Sequence, residues 1–406
     1  MNVFEKFLAS SPIFKNRDVL RHSYTPENLP HRGEQIEQLA ILLSPALKGG
    51  LPSNIFIYGK TGTGKTATVK FVTNQLIEFS KKLSSNVSVH YINCEIIDTA
   101  YRVLASIAKG LGKNIPMTGW PTDQVYEEVC KTIDESNTKL IIVLDEIDKL
   151  AKKAEEALYS LTRINSDLKK AKVSLIGITN NLKFKSFLDA RVISALSEEE
   201  LVFPPYNAEQ LEDILRQRAE LAFNKDVIED GVIELCAAIA AQEHGDARKA
   251  LDLLRVSAEI AEREGANKVK VEHVKMAIKK IEADYVAETV KTLPIHTKIL
   301  LYGMILLSEN QDKFTTGEIY LIYRKLCSKI SITPLTQRRI SDLISELDML
   351  GIVNSVVISK GRYGRTREVN IEADLSSIKT VLDEDYRLKE LKNYENELKR
   401  LVKLLV

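Results

Sequence analysis

Over the first two-thirds of the chain, short apolar runs alternate with longer amphipathic stretches, the pattern of a parallel sheet joined by crossover helices. Five runs read as strands: NIFIY (54–58), VSVHYIN (87–93), LIIVLDE (140–146), VSLIGIT (173–179) and ELVF (200–203). LIIVL is apolar throughout rather than alternating, as expected of a central strand covered on both faces. Stretches such as KTATVKFVTNQLIEFSKKL and EEALYSLTRINSDLKK supply the helices between them.

After FPP (203–205) the pattern turns wholly helical, through about Ile281, and NAEQ (207–210) reads as a capping box with Asn207 at the cap and Gln210 three residues on. A third region predicts helices over 293–309, 315–330 and 334–350, then strands SVVIS and REVNI joined by KGRYGRT. Three helices and a hairpin make a winged helix, a helix-turn-helix variant with a β-ribbon appended. The tail DYRLKELKNYENELKRLVKLLV reads as a charged amphipathic helix, packing on its own domain or meeting a partner.

The 406 residues leave room for about two to three domains. No segment approaches the roughly 20 uninterrupted apolar residues of a membrane span, so no membrane partner is expected. MNVFEKFLAS lacks the basic and apolar regions of a secretory signal. Cys94, Cys130, Cys236 and Cys327 are far apart in sequence, consistent with reduced thiols in the cytoplasm. The histidines show no metal-ligand spacing. Net charge is only +1, so a nucleic-acid surface would need locally concentrated cations.

One stretch carries specific chemistry. Gly59 to Thr66, within YGKTGTGKTA, fits GxxxxGK[ST] between a predicted strand and a predicted helix. Gly62, Thr63 and Gly64 let backbone N–H groups turn inward around phosphates, while Thr66 and Ala67 open the helix whose positive end faces them. Lys65 is placed to reach the β- and γ-phosphates of ATP, or the β-phosphate of ADP, and Thr66 to ligate Mg²⁺. Asp145 and Glu146 close the acidic strand, Asp145 to hold Mg²⁺ and Glu146 to orient the attacking water. Asn180 ends the next strand, either meeting the γ-phosphate or the attacking water or simply terminating the strand. Arg218 lies on the apolar stripe of its helix, three and seven residues beyond Leu215 and Leu211, and needs either a nucleotide phosphate or a buried ion-pair partner. Arg248 stands in the first turn of its helix, where a cation opposes the dipole unless it reaches out to a phosphate.

At the other end, the loop 360–367 carries Lys360, Arg362, Tyr363, Arg365 and Arg367, with no acid and two glycines for a tight tip. Arginines on such a tip suit a narrow minor groove, the alternative being a solvated charged hairpin. Thr336, Gln337, Arg338 and Arg339 occupy the first turn of the third helix, the part that meets base edges or phosphates. Ile340, Leu343, Ile344, Leu347 and Leu350 form its buried face.

Taken together, TGTGKT, VLDEID, ITNN, FPPYNAEQLEDIL, HGDARKALDLLR, TQRRISDLISELDMLGIV and GRYGRT resemble the AAA+ ATPases, specifically the archaeal replication initiators related to eukaryotic origin-recognition and cell-division-cycle loader proteins. The resemblance runs from about His22 to Glu372. It implies an α/β fold: an AAA+ P-loop NTPase domain with a parallel five-stranded sheet over 1–204, a helical lid over 205–285, a C-terminal winged-helix domain over 286–382, and an amphipathic helix over 383–406. It further implies that Tyr24 to Arg32, including His31, lies near the adenine, and that Tyr206 and Arg218 are lid contacts to the nucleotide. Asn180 and Arg248 correspond to the two sensors, and Arg191 to the arginine that acts on a neighbouring subunit's γ-phosphate. The segment from Asp98 to Pro121, with Trp120, matches an insertion that contacts DNA. Ala190 stands where the family commonly has Pro, and Asn181 where it has Asp.

A group-transfer enzyme would want a second substrate pocket, and a processive motor would want pore loops; neither is legible. ATP is therefore expected to set a switch, with slow hydrolysis resetting it. Besides an AAA+ remodeller without specific DNA affinity, two DNA-binding roles stay open at this level. One is an origin-binding initiator partnered by double-stranded DNA, the replicative helicase and other initiator subunits. The other is a nucleotide-gated regulator using the same winged helix at promoters.

Overall fold

The computed structural model describes residues 13–394 except 23, 117, 185–187 and 360–364, together with 397 and 400. The chain divides into two units, Met1–Val274 and Lys275–Val406.

The first unit is built on five parallel strands, β1 (Ile55–Gly59), β2 (Val87–Asn93), β3 (Lys139–Asp145), β4 (Lys172–Thr179) and β5 (Glu199–Phe203), in the order β2-β3-β4-β1-β5. Every residue of β3 after Lys139 is buried, as its unbroken apolar run requires. Alternate residues feed two cores: Ile55, Ile57, Ile141, Val143, Ile176 and Ile178 on one face, and Phe56, Leu140, Ile142, Leu144 and Leu175 on the other. This order places the C-terminal ends of β3, β4 and β1 side by side, with Asp145 paired to Ile178 and Tyr58 to Thr179. Groups far apart in sequence thus meet at one edge of the sheet, where ligands of open α/β folds bind.

Helix α1 (Gly33–Leu43) leads into β1, and α2 (Lys65–Lys82) follows the glycine-rich loop. Helix α3 (Ala100–Gly110) lies inside the stretch from Asp98 to Pro121; α4 (Thr122–Ser136) follows it, and α5 (Ile147–Arg163) follows β3. Helix α6 (Ala190–Leu196) precedes β5. The helical part comprises α7 (Ala208–Ala222), α8 (Val232–Gln242) and α9 (Ala247–Arg263). The capping box at the start of α7 forms: Gln210 N–H donates to Asn207 Oδ1 at 2.8 Å, and Asn207 N–H to Gln210 Oε1 at 3.1 Å. The N-terminal segment docks here, with Lys15 and Asn16 N–H both donating to Ala222 O and Phe14 packed 5.2 Å from Phe223.

Helix α10 (Val271–Thr292) runs across the unit boundary. The second unit holds α11 (Ile295–Ser308), α12 (Thr316–Lys329) and α13 (Gln337–Met349), then strands β7 (Val353–Ser359) and β8 (Arg365–Ile371). A two-residue strand, β6 (Phe314–Thr315), completes an antiparallel sheet in the order β6-β8-β7. Helix α11 is apolar on nearly all sides and forms the middle of this core.

The tail departs from the single helix expected from residue 383. Helix α14 (Leu375–Glu384) crosses that position and stops at Asp385, whose backbone is extended; α15 (Lys389–Asn393) is separate. The break has a cause. Asp385 is buried against Lys298 of α11 at 2.8 Å, and Lys298 also donates to Lys291 O at 2.8 Å. An extended residue aims that carboxylate inward, and Leu388 and Leu391 then join the core of the unit. Among the described residues, no helix is long and apolar enough to cross a membrane.

Candidate functional site: a nucleotide cavity and a winged helix

The first unit contains a cavity at the ends of β1, β3 and β4, lined by Gly62 to Ala67, Asp145, Glu146 and Asn180 from the sheet side. Tyr206, Arg218 and Arg248 line it from the helical side, and Tyr24 to Pro26 with Asn28 to Pro30 from the N-terminal segment. Gly62 and Gly64 have positive φ, and both are crowded. A Cβ on Gly62 would sit 1.7 Å from Asp246 Oδ1, and one on Gly64 2.8 Å from the Tyr206 hydroxyl. Glycine is required here by conformation and by space.

The helical side is bonded directly to the loop. Asp246 caps α9 by accepting from Arg248 N–H at 2.8 Å, and Ala247 N–H donates to Gly62 O at 3.2 Å. The start of α9 thereby delivers Arg248 to the cavity beside Lys65. Lys65 is buried, and its ammonium donates to Gly59 O at 2.8 Å and Lys60 O at 2.6 Å. Burial, and next the positive charge of Arg248, lower its pKa to about 8. Two cations repelling each other beside inward-facing backbone at a helix N-terminus fit a polyphosphate, which would relieve both.

Asp145 is held on three sides. Its Oδ2 accepts from Thr66 Oγ1 at 2.9 Å and from the Tyr91 hydroxyl, and its Oδ1 from Glu146 N–H at 3.1 Å. Burial, then the charge of Asp145, push the Tyr91 hydroxyl well above the usual tyrosine range, so it acts as a donor. Glu146 caps α5 in the left-handed region, φ 55°. Burial, then the negative charges of Glu95 and Asp145, raise its pKa. A hard oxygen pair from Thr66 and Asp145 suits Mg²⁺.

Arg218 is buried, 4.7 Å over the Tyr24 ring, and donates to Val19 O at 3.2 Å. A carbonyl and an aromatic face satisfy it where a buried ion pair was the alternative, and it still lines the cavity.

In the second unit, Thr336 caps α13 by accepting from Arg339 N–H, and Thr336, Gln337, Arg338 and Arg339 are all exposed in its first turn. Arg339 reaches Asp342 at 3.7 Å and Glu346 at 3.5 Å. Ile340, Leu343, Ile344 and Leu347 are buried, whereas Leu350, past the last turn, is 38% exposed and leaves that face. Arg367 corrects the expectation of a free groove-entering arginine. Its guanidinium donates to Ser341 O at 3.2 Å and to Ser345 Oγ, bracing β8 against α13. Lys360, Arg362 and Tyr363 lie outside the described residues, and so does the side chain of Arg365, whose backbone opens β8.

Residues 50–184 match the family model of an AAA domain, 212–279 that of the Cdc6 AAA+ ATPase-type lid domain, and 288–381 that of the CDC6 C-terminal winged helix domain. ORC1-type DNA replication protein 1 of Archaeoglobus fulgidus is 71% identical over 404 residues, covering 100% of this chain and 99% of the relative. The chain belongs to the ORC1-type DNA replication proteins. The ORC1-type protein of Pyrococcus furiosus is 60% identical, over 98% of this chain and 97% of its own length. Among solved structures, the Aeropyrum pernix ORC1 protein in complex with DNA superposes with a TM-score of 0.79 at 48% identity, covering 94% of this chain and 99% of that one. The expected AAA+ domain, lid and winged helix are present, and with them a nucleotide-binding ATPase module of an ORC1-type initiator.

Two of the expected nucleotide contacts, His31 and Arg32, are engaged with protein groups in this structure. His31 and Arg32 do not line the cavity. His31 Nε2 pairs with Asp213 Oδ2 at 2.8 Å. Arg32 is buried behind the glycine-rich loop, donating to Thr63 O at 2.9 Å and Pro204 O at 2.7 Å. An arginine so enclosed supports the loop and the start of the lid. Arg191 also lies away from the chain's own cavity, exposed, in a two-pronged contact with Asp189 at 2.9 and 3.0 Å. Asn181 keeps its side chain local, accepting from Lys183 N–H at 3.0 Å.

Several groups at the site carry no local sequence signal. Tyr91 and Lys70 flank Asp145 and the loop, Lys70 lying 4.8 Å over the Tyr91 ring and lining the cavity. Thr179 donates to the buried Asp148 at 2.8 Å. Tyr91 is one of the polar positions in VSVHYIN, and only the pairing of β2 with β3 turns it toward Asp145.

Proposed function

We propose that this chain is an ATP-regulated initiator that recognises replication origins with its winged helix and helps recruit the replicative helicase, its nucleotide state acting as a switch. The observation that carries the switch is the bond from Ala247 N–H to Gly62 O. It ties the start of the lid helix to the phosphate loop, so a change at the phosphates acts on the lid.

In this reading Lys65 and Arg248 bind the phosphates, Asn180 faces the γ-phosphate, and Tyr24, Tyr206 and Arg218 enclose the nucleoside. Thr66 and Asp145 would hold Mg²⁺, which supplies charge neutralisation at the phosphates. Glu146, ionised, orients and polarises the attacking water. Hydrolysis is slow and resets the switch. Arg191, exposed, acts on the nucleotide of a neighbouring subunit.

Double-stranded DNA is the partner of the second unit, in keeping with the DNA complex of the Aeropyrum pernix relative. Thr336, Gln337, Arg338 and Arg339 meet the groove, and Lys360, Arg362, Tyr363 and Arg365 follow the duplex from the wing. Trp120 and the stretch around α3 add a contact from the ATPase domain. The protein works in the cytoplasm on DNA. Mapping its bound sites across the genome tests the role: a few sites at replication start points are expected, and many promoter sites without them would favour a transcription regulator.

A further inference from the structure

Asp145 stands at the end of β3, and a carboxylate there can rotate. Its two oxygens offer about four acceptor directions. Glu146 N–H takes one on Oδ1, and Thr66 Oγ1 and the Tyr91 hydroxyl take two on Oδ2. Thr66 comes from the helix after the glycine-rich loop; Tyr91 comes from the neighbouring strand, two residues before the Asn93 that pairs with Asp145. Tyr91 is itself fixed, its ring lying under Lys70 at 4.8 Å, a cation over an aromatic face. The carboxylate is therefore clamped from the loop side and the strand side, acceptor capacity remains on Oδ1, and Asp145 lines the cavity.

We propose that Tyr91 is a positioning residue for the metal: its hydroxyl holds the Asp145 carboxylate in the orientation that meets Mg²⁺ beside Thr66. The proposal rests on the reading that Thr66 and Asp145 hold Mg²⁺. Partners that orient metal ligands in this way typically change metal affinity or activity by about 10–100-fold when removed.

Fluorescent ADP binding to the full chain, measured in EDTA and across a Mg²⁺ titration, tests this in Tyr91→Phe with Asp145→Asn as reference. Phenylalanine keeps the ring and its contact with Lys70 while removing only the hydroxyl. The expected result is unchanged affinity in EDTA and a Mg²⁺ requirement raised by about tenfold or more. A requirement equal to the parent's in Tyr91→Phe, with a raised one in Asp145→Asn, overturns the proposal and leaves the metal reading standing. An unchanged requirement in both variants removes the metal reading and the proposal together. Affinity lost equally with and without Mg²⁺ marks Tyr91 as structural only, which also overturns it.

Discussion

The guanidinium of Arg32 lies 3.8 Å from the centroid of the Tyr206 ring and donates to Thr63 O and Pro204 O. One buried side chain thus ties the phosphate loop to the segment where the lid begins. Arg32→Ala would leave two carbonyls without their donor and a void beside Tyr206, destabilising the first unit by about 2–4 kcal/mol. Chemical denaturation followed by far-ultraviolet circular dichroism checks this. A variant as stable as the parent, with parental ATP affinity, would remove Arg32 from the support of the loop.

The lowered pKa of Lys65, about 8 against the ordinary 10.5, has a signed consequence. Between those values the native state binds fewer protons than the unfolded chain, so the protein without nucleotide gains stability as pH rises through that interval. Phosphate oxygens around Lys65 favour its charged form, and nucleotide binding near pH 8.5 should therefore take up a fraction of a proton. Titration calorimetry in two buffers of different ionisation enthalpy should show the uptake in the parent and lose it in Lys65→Met, along with most of the affinity. Equal enthalpies in the two buffers for the parent would contradict the assignment.

In the proposed role Glu146 acts ionised, and burial, together with Glu95 and Asp145, raises its pKa above the ordinary 4.5. The acid limb of hydrolysis should accordingly lie above that value. Glu146→Gln should bind ATP as the parent does and lose at least about a hundredfold in turnover. Undiminished phosphate release by Glu146→Gln would show that another group handles the water.

Arginines of the wing should separate into two behaviours. Replacing Arg362 and Arg365 by Ala should weaken DNA binding and flatten the salt dependence by about one unit of slope per lost phosphate contact. Arg367, bonded to Ser341 and Ser345, should act first on stability. Arg367→Ala should lower the unfolding midpoint of the protein while leaving the salt slope nearly intact. A slope change in Arg367→Ala as large as that of the wing-tip variants would mean that the brace opens on DNA.

Strands β1, β3 and β4 are legible as compact apolar runs, and β2, which mixes apolar and polar residues, begins and ends where VSVHYIN does. The glycine-rich loop, Asp145 and Glu146 were legible because spacing and strand ends define them. The supporting bonds of Arg32 are not legible in the sequence, because nothing local shows the carbonyls of Thr63 and Pro204 closing around it. Strand β6 is too short to carry a periodic signal; its existence depends on Val369 and Glu368 from β8. The tail pattern is amphipathic throughout, and only the buried Lys298–Asp385 pair explains why the helix stops.

Nucleotide occupancy is expected to change how the protein holds DNA. The direct measurement is affinity for an origin duplex together with its footprint, taken with Glu146→Gln loaded with ATP and with the parent loaded with ADP. A coupling of about fivefold or more in affinity, or a footprint that changes its extent between the two states, is predicted. Identical affinity and an identical footprint in both states would contradict the switch.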